Sequence, residues 1–159
     1  MEKINETEVP EESRESPKET YQLSRRHISL ALGGKKDQGL WGGGHPFDVE
    51  LARLPTGKKN FPFHAHAAQW EHYIILSGSG RFLDSAKEWH KVEAGDHIVC
   101  PPGEAHLLEN DGREELVYYV ISDHHPADIT TYPNTNKRQL KPEYRIVKTT
   151  ESDYYQGEE

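Results

Sequence analysis

The chain has 159 residues, enough for one hydrophobic core but not for two, with 33% hydrophobic and 29% charged residues and a formal net charge of −8. No stretch approaches the ~20 apolar residues that span a bilayer, and the acidic start lacks the apolar core of an export signal, so neither a membrane partner nor secretion is expected. Half of the net charge falls in the first 20 residues, and no basic stripe remains to track a phosphate backbone, so nucleic acid is excluded as an expected partner.

Residues 1–20 contain seven glutamates against three basic residues, two prolines and almost nothing apolar. Such a segment buries too little surface to offset its ordering entropy and is expected to be a disordered acidic tail. From Tyr21 onward, short runs of period-two apolar alternation recur. They predict strands at 27–32, 47–54, 61–66, 71–77, 80–83, 88–93, 97–101, 106–109 and 116–122. Turn signals separate them, among them Gly33-Gly34, Gly42-Gly43-Gly44, Gly95-Asp96, Pro102-Gly103 and the hairpin signal Asn110-Asp111-Gly112. Gly42-Gly43-Gly44 precedes a strand and no helix, so it is read as a turn and not as a phosphate cradle. Many short strands at even spacing predict an all-β sandwich or barrel. Residues 123–136 read as loop, 144–147 as a final strand, and 149–159 as an acidic C-terminal tail in which Tyr154 and Tyr155 offer an anchor. The folded domain is therefore expected at 21–148, with its core at 47–122. Cys100 is the single cysteine, which leaves no intramolecular disulfide and points to a cytoplasmic location and a buried, inert thiol.

Chemistry is suggested by histidine spacing. His64 and His66 are two apart on a strand, so their side chains leave one face. If that face is interior, both imidazoles converge. Glu71 begins the next strand, and His106 follows the Pro101-Pro102-Gly103 turn into another. Three imidazoles and one carboxylate suit one divalent transition metal ion such as Mn, Fe, Ni or Zn, leaving two positions of an octahedron open to water, oxygen or substrate.

The stretch His64-x-His66-x4-Glu71-x6-Gly78 resembles the first motif of the cupins, and Gly95-x5-Pro101-x-Gly103-x2-His106-x3-Asn110 resembles the second at every defined position. Gly57 lies one residue further from His64 than the pattern has it, an insertion in a turn. The resemblance to small single-domain bacterial cupins implies a double-stranded β-helix (jelly-roll) barrel with His64, His66, Glu71 and His106 as metal ligands. The segment Asp128-x3-Tyr132-Pro133 is similar to one group within that superfamily, with Asn134 where the group usually has Asp. Members of that group are loosely called sugar-phosphate isomerases, a label that rests on fold analogy. The resemblance also implies a homodimer, with residues 21–46 available as an exchanged strand.

The remaining candidates carry structural expectations. Alternation turns His72 outward, His97 is read as structural, and His45, His124 and His125 as solvated loop residues. Tyr73 and one of Tyr118 and Tyr119 are placed on the cavity wall, and Trp70 on a rim or an oligomer contact. No acid–base residue is singled out beyond the ligands. Two functions follow: a metalloenzyme acting on a small polar organic substrate by dioxygenase- or isomerase-type chemistry, or a non-catalytic module that binds or senses a small ligand.

Overall fold

The computed structural model describes residues 1–36, 38, 43–141 and 143–158. Gly42 of the glycine run lies outside the described residues. A single 3₁₀ turn at Glu6–Glu8 leads into β1 (Glu11–Glu15) and β2 (Gln22–His27), then a helical turn α1 (Ile28–Ala31). The central strands are β3 (Asp48–Leu54), β4 (Ala65–His66), β5 (Glu71–Ser77), β6 (Ser79–Leu83), β7 (Trp89–Glu93), β8 (His97–Cys100), β9 (Leu107–Glu109) and β10 (Leu116–Ser122). β11 (Ile129–Tyr132), β12 (Lys137–Leu140) and β13 (Arg145–Lys148) follow.

The strands form three antiparallel sheets, ordered β1-β2-β3-β10-β5-β8, β13-β12-β11-β4 and β7-β6-β9. Their inner faces close on one another as the double-stranded β-helix barrel. The register makes the interior graded. Leu54 lies opposite Leu116, then Ala52 opposite Tyr118, Glu50 opposite Val120 and Asp48 opposite Ser122, while on the other side of β10 Ser122 faces Glu71. Every second residue points inward, so one end of the barrel is apolar and the other polar. Leu54, Ile75, Leu108 and Leu116 fill the apolar end and are essentially inaccessible, each worth about 1.5–3 kcal/mol of burial. The polar end is left for chemistry.

Two motif residues explain themselves here. Gly78 sits at φ +80°, and a Cβ there would stand 2.5 Å from the Glu115 carbonyl oxygen, so only glycine fits between β5 and the turn before β10. Asn110 is wholly buried. Its Nδ2 donates to the carbonyls of Leu54 (2.7 Å) and Glu114 (2.8 Å), and its Oδ1 accepts from the Gly112 amide (3.0 Å), which pins the 110–115 turn to β3.

Three expectations are corrected. Residues 1–20 are not a disordered tail: all five residues of β1 pair with β2, setting Glu11 opposite Arg26 and Glu12 opposite Arg25. Glu12 also contacts His27 (2.8 Å), the Tyr119 hydroxyl donates to Glu6, and Val9 is buried. The acidic segment is ordered because β2 offers complementary cations across the strand pair. The strand expected at 27–32 is displaced to Gln22–His27, because the chain turns into α1, where the Ser29 hydroxyl accepts the Val49 amide (2.8 Å). The loop expected at 123–136 contains β11, which pairs with β4 on one side and β12 on the other. In this single chain β2 pairs with its own β3. Tyr154 and Tyr155 are exposed and pack on each other, ring centroids 4.8 Å apart.

Candidate metal centre

His66 is held by β4, whose Ala65–His66 pair with Thr131 and Thr130 of β11. His64 and His106 exchange both backbone hydrogen bonds as an isolated bridge (3.2 and 2.8 Å), which sets their rings side by side, centroids 4.6 Å apart. The Gly103 amide of the Pro-Pro-Gly turn donates to the His66 carbonyl (2.8 Å), tying the His106 segment to β4. Glu71 opens β5 directly across the interior. His64, His66 and Glu71 are buried, and their candidate ligand atoms lie within 4.8 Å of one another. His106 joins through Glu71, its Nε2 2.9 Å from Oε2.

Each imidazole is oriented in the same way. Nδ1 of His64 faces the Pro62 carbonyl (2.8 Å), Nδ1 of His106 the Glu104 carbonyl (3.0 Å) and Nδ1 of His66 the Asp128 carboxylate (2.7 Å). With Nδ1 donating to a fixed oxygen, Nε2 is the atom each ring presents to the centre. Glu71 is oriented as well: the Gln69 amide donates to Oε1 (3.1 Å) and the Tyr73 hydroxyl to Oε2 (3.0 Å). Asp128 is buried and accepts the amides of Ala68 (3.0 Å) and Gln69 (3.3 Å), and Lys141 bridges it (3.1 Å) to the Gln69 side chain (3.1 Å).

Electrostatics follow from this wiring. Burial, helped by the nearby His106 charge, holds His64 down at about 3, so it stays neutral. Burial also disfavours charge on His66, but hydrogen bonds to Asp128 and Glu71 outweigh it and raise His66 to about 9. His106 is raised against burial to about 10 by its contacts with Cys100 and Glu71. Glu71 is pulled well below the usual carboxylate range, despite burial, by His106 and His66. In the metal-free protein the centre therefore holds a carboxylate between two imidazolium groups, the charge pattern that a divalent cation replaces.

A cavity of about 210 Å³ adjoins the histidines. His64, His66, Glu71 and Tyr73 form one wall, Arg25, Glu50 and Tyr118 another, and Tyr132 and Lys141 close it from the C-terminal sheet. The expected placements of Tyr73 and Tyr118 on this wall hold, while the Tyr119 hydroxyl goes to Glu6. His72 lies outside the barrel with His97, Nε2 to Nδ1 3.1 Å, and Cys100 is buried. His124 is not a solvated loop residue: it is buried and contacts Asp48 (2.9 Å).

Asp128, Gln69, Lys141 and Arg25 were not among the sequence candidates. Asp128 stands in the Asp-x3-Tyr-Pro segment noted above, and Arg25 at an inward period-two position of β2, but neither signal identifies a partner across the barrel.

The geometry defines a small all-β barrel with a histidine-rich candidate metal site at its polar end. Residues 50–122, a little under half of the chain, match the cupin domain family, and the barrel has the cupin fold. It is 35% identical to the oxalate-binding protein of Thermotoga maritima over 43% of this chain and 55% of that protein. It is 31% identical to the dimethylsulfoniopropionate lyase DddQ of Ruegeria pomeroyi over 59% of this chain and 49% of that protein. The chain thus spans about half the length of these curated relatives. A Silicibacter pomeroyi structure, described as a sugar phosphate isomerase from a cupin superfamily, superposes with a TM-score of 0.74 over 92% of both chains at 19% identity, a likeness of fold. Among the described residues no helix is long and apolar enough to cross a membrane.

Proposed function

We propose that this cupin is a metalloenzyme that holds one divalent transition ion on His64, His66, Glu71 and His106 and moves a proton on a small carboxylic acid bound in the adjoining cavity. The observation that carries the reading is the common orientation of the three imidazoles, every Nδ1 donating to an anchored oxygen, with Nε2 of His66 and His106 on Glu71 and His64 grouped with His66 and Glu71 within 4.8 Å. When bound, such an ion polarises a ligand oxygen, and a redox-active one also supports oxygen chemistry. The carboxylate class is supported by the relatives, one named for binding oxalate and the other for cleaving dimethylsulfoniopropionate.

Tyr73 supports catalysis over storage. Its hydroxyl is buried on the cavity wall, 3.0 Å from Glu71 Oε2 and 3.3 Å from His106 Nε2, placed to hand a proton to a ligand beside the histidines. Tyr73→Phe is expected to keep stoichiometric metal and to lose turnover by about 10²–10⁴-fold. Metal analysis of untagged protein, followed by product detection with oxalate and other small acids, checks both halves. Binding without product for every acid supports the non-catalytic reading that the oxalate-binding relative favours. Oxygen uptake in step with substrate loss marks dioxygenase chemistry instead.

A cytoplasmic homodimer belongs to the same proposal. β8 is an edge strand, and Val99 on it and Leu76 on the adjoining β5 are exposed large apolar residues. Light scattering at micromolar concentration is expected to give twice the 18.2 kDa chain mass; a monomer mass removes this part.

A further inference from the structure

Two side chains on the cavity wall away from the histidines carry polar atoms that nothing in the protein satisfies. Arg25 is 5% exposed. Its Nη1 donates to both oxygens of Glu50 (3.1 and 3.4 Å) and its Nη2 to Glu12 (3.5 Å), while Nε–H has no acceptor. Tyr118 is 1% exposed, and its hydroxyl has no partner. The neighbouring Asn60 amide, itself unpaired through Nδ2, lies close enough to act on the phenol oxygen as a donor, which leaves the hydroxyl proton without an acceptor. Buried polar atoms are rarely left unmade, because each forfeits its hydration without replacement.

Their placement is not random. In the strand register Arg25 and Tyr118 lie opposite Ala52 from its two sides, so they flank the smallest side chain of that row and both line the cavity that His64, His66 and Glu71 also line. Leu23, Phe61 and Val120 supply apolar wall to the same space. Arg25 and His27 stand against Glu50 and Glu12, with His27 raised above its ordinary value by Glu50 despite burial. Arg14, which pairs with Glu12, adds a further cation on the cavity wall. Both donors are sealed from solvent, so an oxygen acceptor would reach Arg25 Nε and the Tyr118 hydroxyl as the cavity wall shifts to admit it.

Resting on the reading of the site as one for small carboxylic acids, we propose that Arg25 and Tyr118 form an anchor for a second carboxylate at the end of the ligand remote from the histidines. The cavity then selects short dicarboxylic acids over monocarboxylic acids of the same length. A volume of about 210 Å³, roughly that of seven waters in the liquid, suits a molecule of that size.

Calorimetric titration of the metal-loaded protein with succinate and glutarate, against butyrate and valerate, tests this. The dicarboxylates are expected to bind at least tenfold tighter. Tyr118→Phe is expected to erase that preference while monocarboxylate affinity and metal content stay within twofold. Arg25→Lys is the companion variant, keeping charge but losing Nε; if it fails to fold beside Glu50, the Tyr118 variant decides alone. Equal affinity for both acid classes in the parent, or a preference that survives Tyr118→Phe, overturns the anchor and leaves the carboxylate site standing. If neither acid class binds the metal-loaded parent, the carboxylate reading falls and the anchor with it.

Discussion

A Glu71→Gln protein is expected to bind its metal more weakly than any supporting-residue variant, by more than the 10–100-fold that loss of a ligand's orienting partner costs. Glu71 is the one carboxylate that both His66 and His106 approach, and it also sets their protonation. In the metal-free parent, with His66 near 9 and His106 near 10, an ion binding at pH 7.5 must displace about two protons, so affinity rises steeply with pH up to about 9. Calorimetry in buffers of different ionisation enthalpy measures that release directly. In Glu71→Gln the release drops, because His106 loses its carboxylate and His66 keeps only Asp128. The stability of the metal-free parent carries the same signs. The two histidines have folded values above the ordinary 6.5, so their contribution is complete below 6.5 and is lost as pH rises through 9 and 10. Glu71 lies below its ordinary 4.5, so its contribution is present above 4.5 and is lost in acid. A flat metal-affinity profile between pH 6 and 9 contradicts this picture.

Asp128→Ala is expected to combine two losses. His66 would lose the acceptor that fixes its Nδ1, a 10–100-fold loss of metal affinity. Lys141, almost wholly buried, would lose its carboxylate, and breaking a buried pair in this way costs about 3–5 kcal/mol of stability. Denaturant titration of the metal-free protein isolates the second effect from the first. Asp128→Asn keeps the shape and the amide acceptor, so it is expected to retain more stability than Asp128→Ala. Equal stability of parent and Asp128→Ala would mean that the buried pair contributes nothing.

The strands that could be read from the sequence were those whose inward positions are apolar. Leu116 to Ile121 is an unbroken apolar and aromatic run, and β5 and β10 fall at the expected bounds, 71–77 and 116–122. β1 and β2 escaped because their order comes from Glu12, Arg25, His27 and Glu50 meeting across strands, and such pairing is invisible when each strand is read alone. β11 escaped because its four residues, Ile129–Tyr132, are short and largely polar and are held by β4, more than sixty residues earlier. The clustering of His64, His66, Glu71 and His106 was legible because period two and two spaced motifs bring them together. Asp128 and Lys141 were not, since a lone aspartate and a lone lysine in polar segments carry no periodic signal.

The order in which the site can come into being follows from where its supports lie in the chain. His64 is braced by residue 106, His66 by residues 128 and 130, and the acceptor-bearing Gln69 by residue 141. No short segment holds the finished centre, and each brace closes a long loop whose entropy must be met by other contacts first. The barrel must therefore close before an ion has anything shaped to receive it. A metal ion bound there would then stabilise the folded chain by mass action on a pocket already built.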